Sequence, residues 1–206
     1  IRAEHRLGPE VPIVFIEVDA DLARTEPDPE IQDLIKASAG LNVALDYLPG
    51  AVMFDPVAFT PDAALASAIV WFDAYVRNVD RTANNTNMLM WHRELRLIDH
   101  GAALYFHHAW DNYLARSTDR FERIRDHVLL PFAGSLLEAD ATLSARLAPE
   151  IIGDIVGLIP DTWLSDRSVF NSSEENRAAY VHSLLKRMQS PHDFLEEAIR
   201  ARSELV

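Results

Sequence analysis

The sequence predicts an α+β fold, with a small strand-bearing part over residues 1–50 and a predominantly helical part over 51–206. Three observations predict it. Val11 to Val18 is a β-branched and aromatic run of strand composition. Leu65, Ala68, Ile69, Phe72, Tyr75 and Val76 recur at helical spacing, and similar stripes return throughout the carboxy-terminal half. Between these regions, the segment holding Asp80 and Asn85 cannot be regular helix or strand, because its Asn-rich sequence favours turns and local side-chain bonding.

Taken in order, Leu7-Gly8-Pro9 reads as a turn after a polar helix end, and Pro12 sits near the start of the first strand. Asp28-Pro29-Glu30 opens a short helix, with Asp28 as its cap and Pro29 at its first position. Ile31, Leu34 and Ile35 give it an apolar stripe, and Gly40 is expected to end it. Asn42 to Leu48 reads as a second strand stopped by Pro49-Gly50. Thr60-Pro61-Asp62 starts the long helix that runs to Arg77. Further on, Pro149 starts a helix with Ile151, Ile152, Ile155, Val156 and Ile159 inward. Ser172-Ser-Glu-Glu175 is a capping box ahead of Val181, Leu184, Leu185 and Met188. Ser190-Pro191 caps a last helix carrying Phe194, Leu195, Ala198 and Ile199.

Composition narrows the function. A formal charge of −13 argues against nucleic acid or an anionic membrane as the main partner, although it leaves room for a nucleotide carried with a metal. There is no cysteine, which excludes a disulfide framework and a thiolate zinc site. The longest apolar run, Ala63 to Phe72, is too short to span a bilayer, and no signal peptide is visible, so a cytoplasmic protein is expected.

The chemistry concentrates between Asn78 and Gly101. Met88-Leu-Met-Trp91 and Leu95-Arg-Leu-Ile98, joined through His92-Arg93-Glu94, form a plausible β-hairpin. Such a hairpin returns Asp99 beside Asn85, so that Asp80, Asn85 and Asp99 converge. Oxygen donors of this kind suit magnesium, which takes one or two carboxylates plus water and substrate phosphates. A base Asp, with an Asn and an Asp on metal, is the part list of phosphoryl transfer.

The run Asp80-Arg-Thr-x-x-Asn85 followed by Ile98-Asp-His-Gly101 resembles the HipA-like kinase family and, more distantly, the phosphatidylinositol kinases. Ala102-Ala-Leu-Tyr-Phe-His-His108, Thr25-Glu-Pro-Asp-Pro-Glu30, Leu48-Pro-Gly50 and His127-Val-Leu-Leu-Pro131 extend the likeness over most of the chain. Two positions depart from it: Thr82 stands where related kinases carry His, and His100 where protein kinases carry Phe. The resemblance implies a protein-kinase-like fold, mainly the helical large lobe with part of a small β lobe. It implies an ATP- and magnesium-dependent transfer of the γ-phosphate to a hydroxyl acceptor, a protein Ser or Thr or a small molecule. Asp80 is then the catalytic base, Asn85 and Asp99 the metal ligands, and Arg81, Asn87 and His100 their supports. Nucleotide contacts fall at the hinge-like Tyr47 and Leu48 and at Met88 and Ile98.

Each assignment has a plainer rival. Asp80 could be a turn aspartate, Asn85 one turn residue among several, and Asp99 a carboxylate emerging from a buried strand to pair with Arg81. His100, His107 and His108 suggest a His/Asp metal phosphohydrolase, though adjacent histidines are not expected to face one ion. The only lysines, Lys36 and Lys186, fall in predicted helices rather than on a strand, and no glycine-rich phosphate loop is present. Those parts are expected upstream of Ile1; otherwise the chain is a catalytically inert binding module on a kinase scaffold.

Overall fold

Helix α2 (Ala63–Val76) is the element around which most of the chain packs. Its cap is the expected one, since the Asp62 carboxylate accepts the Leu65 N–H at 2.9 Å. The computed structural model describes residues 13–164, 169–189 and 191–205, so Leu7-Gly8-Pro9, Pro12 and Ser190 lie outside the described residues. The sequence marks one buried stripe on α2, but the helix is buried nearly all round. Ser67, Val70, Trp71, Asp73 and Ala74 are enclosed along with Ile69, Tyr75 and Val76, while Phe72 reaches the surface. Helices α4 (Leu136–Ser144), α6 (Ser173–Gln189) and α7 (Pro191–Ser203) and the 3-10 turns after Phe121 all pack on it, which leaves no polar face.

That surround is a continuous core. Trp71 stacks on Tyr75 at 5.5 Å between ring centres and meets the edge of Phe194 at 5.6 Å. The Trp71 indole N–H, which could not stay unpaired in such a place, donates to Asp140 at 2.7 Å. Arg187 of α6 lies over the Phe194 ring and donates to the Ala74 and Tyr75 carbonyls, the last turn of α2, and to Ser117 and Asp119. A guanidinium on the carbonyl end of a helix satisfies orphan acceptors and opposes the negative end of the dipole. Arg187 therefore anchors the point at which the chain leaves α2 for the Asn78–Gly101 segment.

Two compact units divide the chain, residues 1–51 and 52–206. In the first, β1 (Ile13–Val18) and β2 (Gly40–Leu45) pair antiparallel from Ile13 opposite Leu45 to Val18 opposite Gly40. A 3-10 turn (Ala20–Thr25) and α1 (Pro29–Ala37) connect them. Asp28 caps α1 as predicted, but the Ile31, Leu34 and Ile35 stripe buries nothing fully. Gly40 does not end α1, which closes at Ser38; at φ +106° it opens β2 instead. β2 also ends earlier than the sequence suggests, so Tyr47 and Leu48 lie beyond it, and Leu48 opens a turn closed by the Ala51 N–H on its carbonyl.

In the second unit, β3 (Val52–Met53), β4 (Met88–Trp91) and β5 (Glu94–Leu97) form an antiparallel sheet in that order. The β4–β5 hairpin is present, with a tighter turn than predicted: only His92 and Arg93 lie outside the strands, at φ 50° and 66°. Positive φ at both positions is the type I′ geometry that fits the twist of paired strands. A short α3 (Tyr113–Arg116) follows further on. In α5 (Pro149–Gly157) only Ile152 and Val156 are buried, while Ile151 and Ile155 stay exposed, so the expected five-residue stripe reduces to one i, i+4 pair. α6 starts with Ser172 accepting the Glu175 N–H at 3.1 Å, but the Glu175 carboxylate reaches Asn171 rather than closing the box on Ser172. In α7, Ala201 is buried while Ile199 is partly exposed. Among the described residues, no helix is long and apolar enough to cross a membrane.

Candidate active site

A carboxylate that sequence reasoning passed over holds the segment in place. Asp73, on the last turns of α2, has no exposed surface, and neither does Arg81, whose Nε lies 2.5 Å from Asp73 Oδ2. His127 Nε2 meets the same oxygen at 2.9 Å, and Asn78 Nδ2 meets Oδ1 at 3.1 Å. His127 Nδ1 accepts the Leu129 N–H at 3.0 Å, so the ring proton on that imidazole sits at Nε2 and is donated to Asp73. Burial alone would raise the pKa of Asp73. The His127 hydrogen bond and the charge of Arg81 outweigh it, and the carboxyl is held below its ordinary value. Arg81 also donates through Nη1 to the Asn87 carbonyl and bonds through its own carbonyl to the Val128 N–H. One buried ion pair thus ties α2, both ends of the loop and the His127 turn together.

The signal for Asp73 was in the sequence. An aspartate inside Val70-Trp-Phe-Asp73-Ala-Tyr-Val76 cannot face a core without a cation, and Arg81 is the nearest basic residue after Arg77. The sequence offers Arg81 as a support for the loop or a partner for Asp99; in the structure it pairs with Asp73.

On the other side of the loop, Asp80 is half-buried and its Oδ2 accepts from Asn85 Nδ2 at 2.7 Å and from Asn87 Nδ2 at 3.2 Å. Its backbone N–H is held by Asn78 Oδ1 at 3.2 Å. Thr82 and Asn85 exchange backbone hydrogen bonds at 2.9 and 3.2 Å, which folds Asp80 to Asn85 into a closed turn. Asn85, with its NH2 committed to Asp80, has its side-chain carbonyl oxygen as the atom left to bind a ligand.

Asp99 follows β5. The hairpin register sets Met88 opposite Leu97, and the Ile98 N–H donates to the Asn87 carbonyl at 3.0 Å, so Asp99 emerges at the same end of the hairpin as Asn85. It is exposed rather than buried, contrary to the expectation of a carboxylate in need of a partner, and it accepts the Gly101 N–H at 3.3 Å. Its backbone is left-handed at φ 48°, as are Asn87 at 47° and Arg77 at 57°. Such conformations cost about 1–3 kcal/mol each and gather where a structure must aim a group. His100 packs edge-on against Phe72, and burial, then the Arg81 charge, lowers its pKa against the opposing pull of Asp73 and Asp99.

An amide oxygen and a carboxylate at one end of a hairpin fit a hard divalent cation that keeps most of its coordination for water and phosphate. They do not make an all-protein cage: among the described residues no group of three or more His, Asp or Glu could hold a metal. The His100, His107 and Asp99 centre of a phosphohydrolase is therefore not formed. One detail of that reasoning is reversed, since adjacent His107 and His108 do bring their Nε2 atoms together, 3.1 Å apart, on a 3-10 turn. Of the expected nucleotide contacts, Ile98 is half-buried beside Asp99, whereas Met88 is fully buried in the core and offers no surface. Tyr47 and Leu48 belong to the first unit. Lys36 pairs with Asp33 within α1 and Lys186 lies in α6, so neither stands on a strand.

No curated protein and no solved structure matches the chain. A family model described as HipA-like kinase matches residues 8–197, a span that takes in Asp73, the Asp80–Asn85 turn, Asp99 and the helices that support them. The chain belongs to the HipA-like kinase family, whose activity is kinase-type phosphoryl transfer.

Proposed function

We propose that this chain transfers the γ-phosphate of ATP, with magnesium, to a hydroxyl acceptor, with a protein Ser or Thr as the first candidate. The observation that carries the reading is the pair of amides, Asn85 and Asn87, that fix one oxygen of Asp80. Both converge on Oδ2, which leaves Oδ1 to meet the acceptor hydroxyl as base or orienter. Asn85 Oδ1 and the Asp99 carboxylate are the ligands in reach of a cation, and Ile98 offers an apolar contact beside them. Asn85 and Asp99 would hold magnesium there, and the chemistry it would supply is positive charge for the nucleotide phosphates. Arg81 does not touch substrate in this scheme; its charge is spent on Asp73.

A second reading, an inert nucleotide-binding or protein-binding module, draws on the placement of both lysines in helices. Calorimetric titration of ATP with and without magnesium, on wild type and Asp99→Ala, tests the first. The expected result is magnesium-dependent binding that the substitution abolishes. Binding indifferent to both magnesium and Asp99 would overturn the metal assignment. Magnesium-dependent binding without phosphate release to any hydroxyl acceptor would favour the inert module.

A further inference from the structure

Asn85 and Asn87 fix the Asp80 carboxylate from the front of the loop, but the Asp80 backbone hangs from the buried network behind it. Asn78, which is 3% exposed, makes that connection. Helix α2 ends at Arg77, whose left-handed φ of 57° turns the chain back on the helix. The Arg77 and Asn78 N–H groups both reach the Asp73 carbonyl, the second at 2.9 Å. Asn78 therefore enters the loop with its main chain already tied to Asp73.

Both ends of its side chain are committed. Nδ2 donates to Asp73 Oδ1 at 3.1 Å, and Oδ1 accepts the Asp80 N–H at 3.2 Å. The partners settle which end is which, since an ionised carboxylate only accepts and a backbone N–H only donates. In an exposed turn of this kind Asp or Ser serves as well as Asn, because only the acceptor is used. Here the donor end is buried against a carboxylate. Asp at this position would set two carboxylates against each other, Ser would reach the Asp80 N–H but not Asp73, and Ala would reach neither. An amide satisfies both.

Asp73 is a fixed point to pull against, since Arg81 and His127 hold its other oxygen. On the far side of Asp80, the Thr82 N–H donates to the Asp80 carbonyl at 3.1 Å. The carbonyl and the carboxylate of Asp80 are thus held by loop residues, Thr82, Asn85 and Asn87, whereas its N–H is referred to α2 through Asn78.

We propose that Asn78 is a positioning residue for phosphoryl transfer, setting the Asp80 backbone against the buried Asp73 carboxylate and so aiming Asp80 Oδ1 at the acceptor. The aim at an acceptor rests on the phosphotransferase reading; the hold of Asn78 on Asp80 does not. Misplacing a reacting group by about 1 Å can cost about 100-fold in rate. Loss of the hold should therefore appear in turnover and leave ATP affinity alone, because Asn78 touches neither Asn85 nor Asp99.

The test compares Asn78→Ala and Asn78→Ser with wild type. It measures phosphate transfer from magnesium ATP to water and to a serine peptide, calorimetric ATP affinity, and hydrogen exchange at the Asp80 amide. Both substitutions uncover Asp73 Oδ1, so their urea midpoints should fall alike, but only Ser returns an acceptor to the Asp80 N–H. Asn78→Ala is expected to lower kcat about tenfold or more, with the ATP dissociation constant within about twofold. Its Asp80 amide should exchange about tenfold faster or more, and Asn78→Ser should recover most of both losses. In the Asp80→Asn background, Asn78→Ala should cost no further turnover. Should Asn78→Ala not fold, Asn78→Cys, close to Ser in size but a weak acceptor, takes its place. Equal turnover and exchange in the Ala and Ser variants, a loss confined to ATP affinity, or a full effect of Asn78→Ala in the Asp80→Asn background overturns the proposal. Transfer that is indifferent to Asn78 would leave the phosphotransferase standing and sink the positioning role. No transfer by wild type would sink the phosphotransferase and the aim at an acceptor, and the exchange rates alone would then decide whether Asn78 holds Asp80.

Discussion

The Asp80 loop has two faces built on opposite terms. Behind it, Asp73, Arg81, Asn78 and His127 form a charge network from which water is excluded, each bond constraining another. In front, Asp80 is held by two amides and Asp99 accepts a long backbone N–H, with solvent in reach of both. The back face uses charge to fix position, and the front face leaves its carboxylates open to solvent. A buried ion pair adds little net stability over an apolar substitute, but losing one partner is costly, so such a pair suits a scaffold that must hold a single geometry.

The sharpest way to break that division is Asp73→Ala. It strands the Arg81 guanidinium in the core and removes the acceptor for Asn78 and His127. The loss expected is about 3–5 kcal/mol, read as a fall in the urea midpoint. A loss below about 1 kcal/mol would mean that the back face is not structural.

Asp80→Asn makes the complementary cut. The substitution keeps the shape and stays clear of the Asp73 network, so the urea midpoint should move by less than about 0.5 kcal/mol. Phosphoryl transfer should fall about 100-fold or more, close to 2.7 kcal/mol of barrier. Unfolding by this variant, or full activity, would erase the distinction between the faces.

The Asp73 carboxylate gives the back face an acid-sensitive share of the stability. The folded pKa of Asp73 lies below the roughly 3.9 of an unfolded aspartate, so the unfolded chain takes up its proton first. The stability this group contributes is complete above about pH 4 and is lost as pH falls through the lower folded value. Urea midpoints from pH 7 to pH 2.5 should show that acid loss in wild type and a shallower one in Asp73→Asn. Parallel profiles would locate the acid sensitivity in other carboxylates.

How far the sequence exposed these two faces follows from what holds each. The placement of the front was legible: Asp80, Asn85 and Asp99 lie within one local stretch, and a hairpin read from two apolar runs suffices to return Asp99 to the loop, while the roles proposed for them are not settled by that placement. The back depends on Asp73 and His127, separated by 54 residues, a contact that no local period reports. Periodicity also failed on α2, where a helix enclosed by several partners has no face to mark. It failed in the opposite sense on α1 and β1, where Ile31, Leu34 and Phe15 read as interior and remain exposed. Turn chemistry misled at Gly40, which suits a helix end by composition but serves the start of β2 through its positive φ.

The smallest test concerns the hairpin that carries Asp99. His92 and Arg93 both adopt left-handed backbone, a conformation that Gly enters freely and a side chain resists. Arg93→Gly relieves that strain but makes the unfolded chain more flexible, so the net gain should be about 0.5–1 kcal/mol in the urea midpoint. Because Arg93 lies at the far end of the hairpin from Asp99, magnesium-dependent ATP binding should stay within about twofold of wild type, under roughly 0.4 kcal/mol. A stabilised hairpin with unchanged metal dependence would show that the front face needs only the register of β4 and β5. A change in nucleotide affinity would show instead that strain at the turn is transmitted along the strands to the carboxylate.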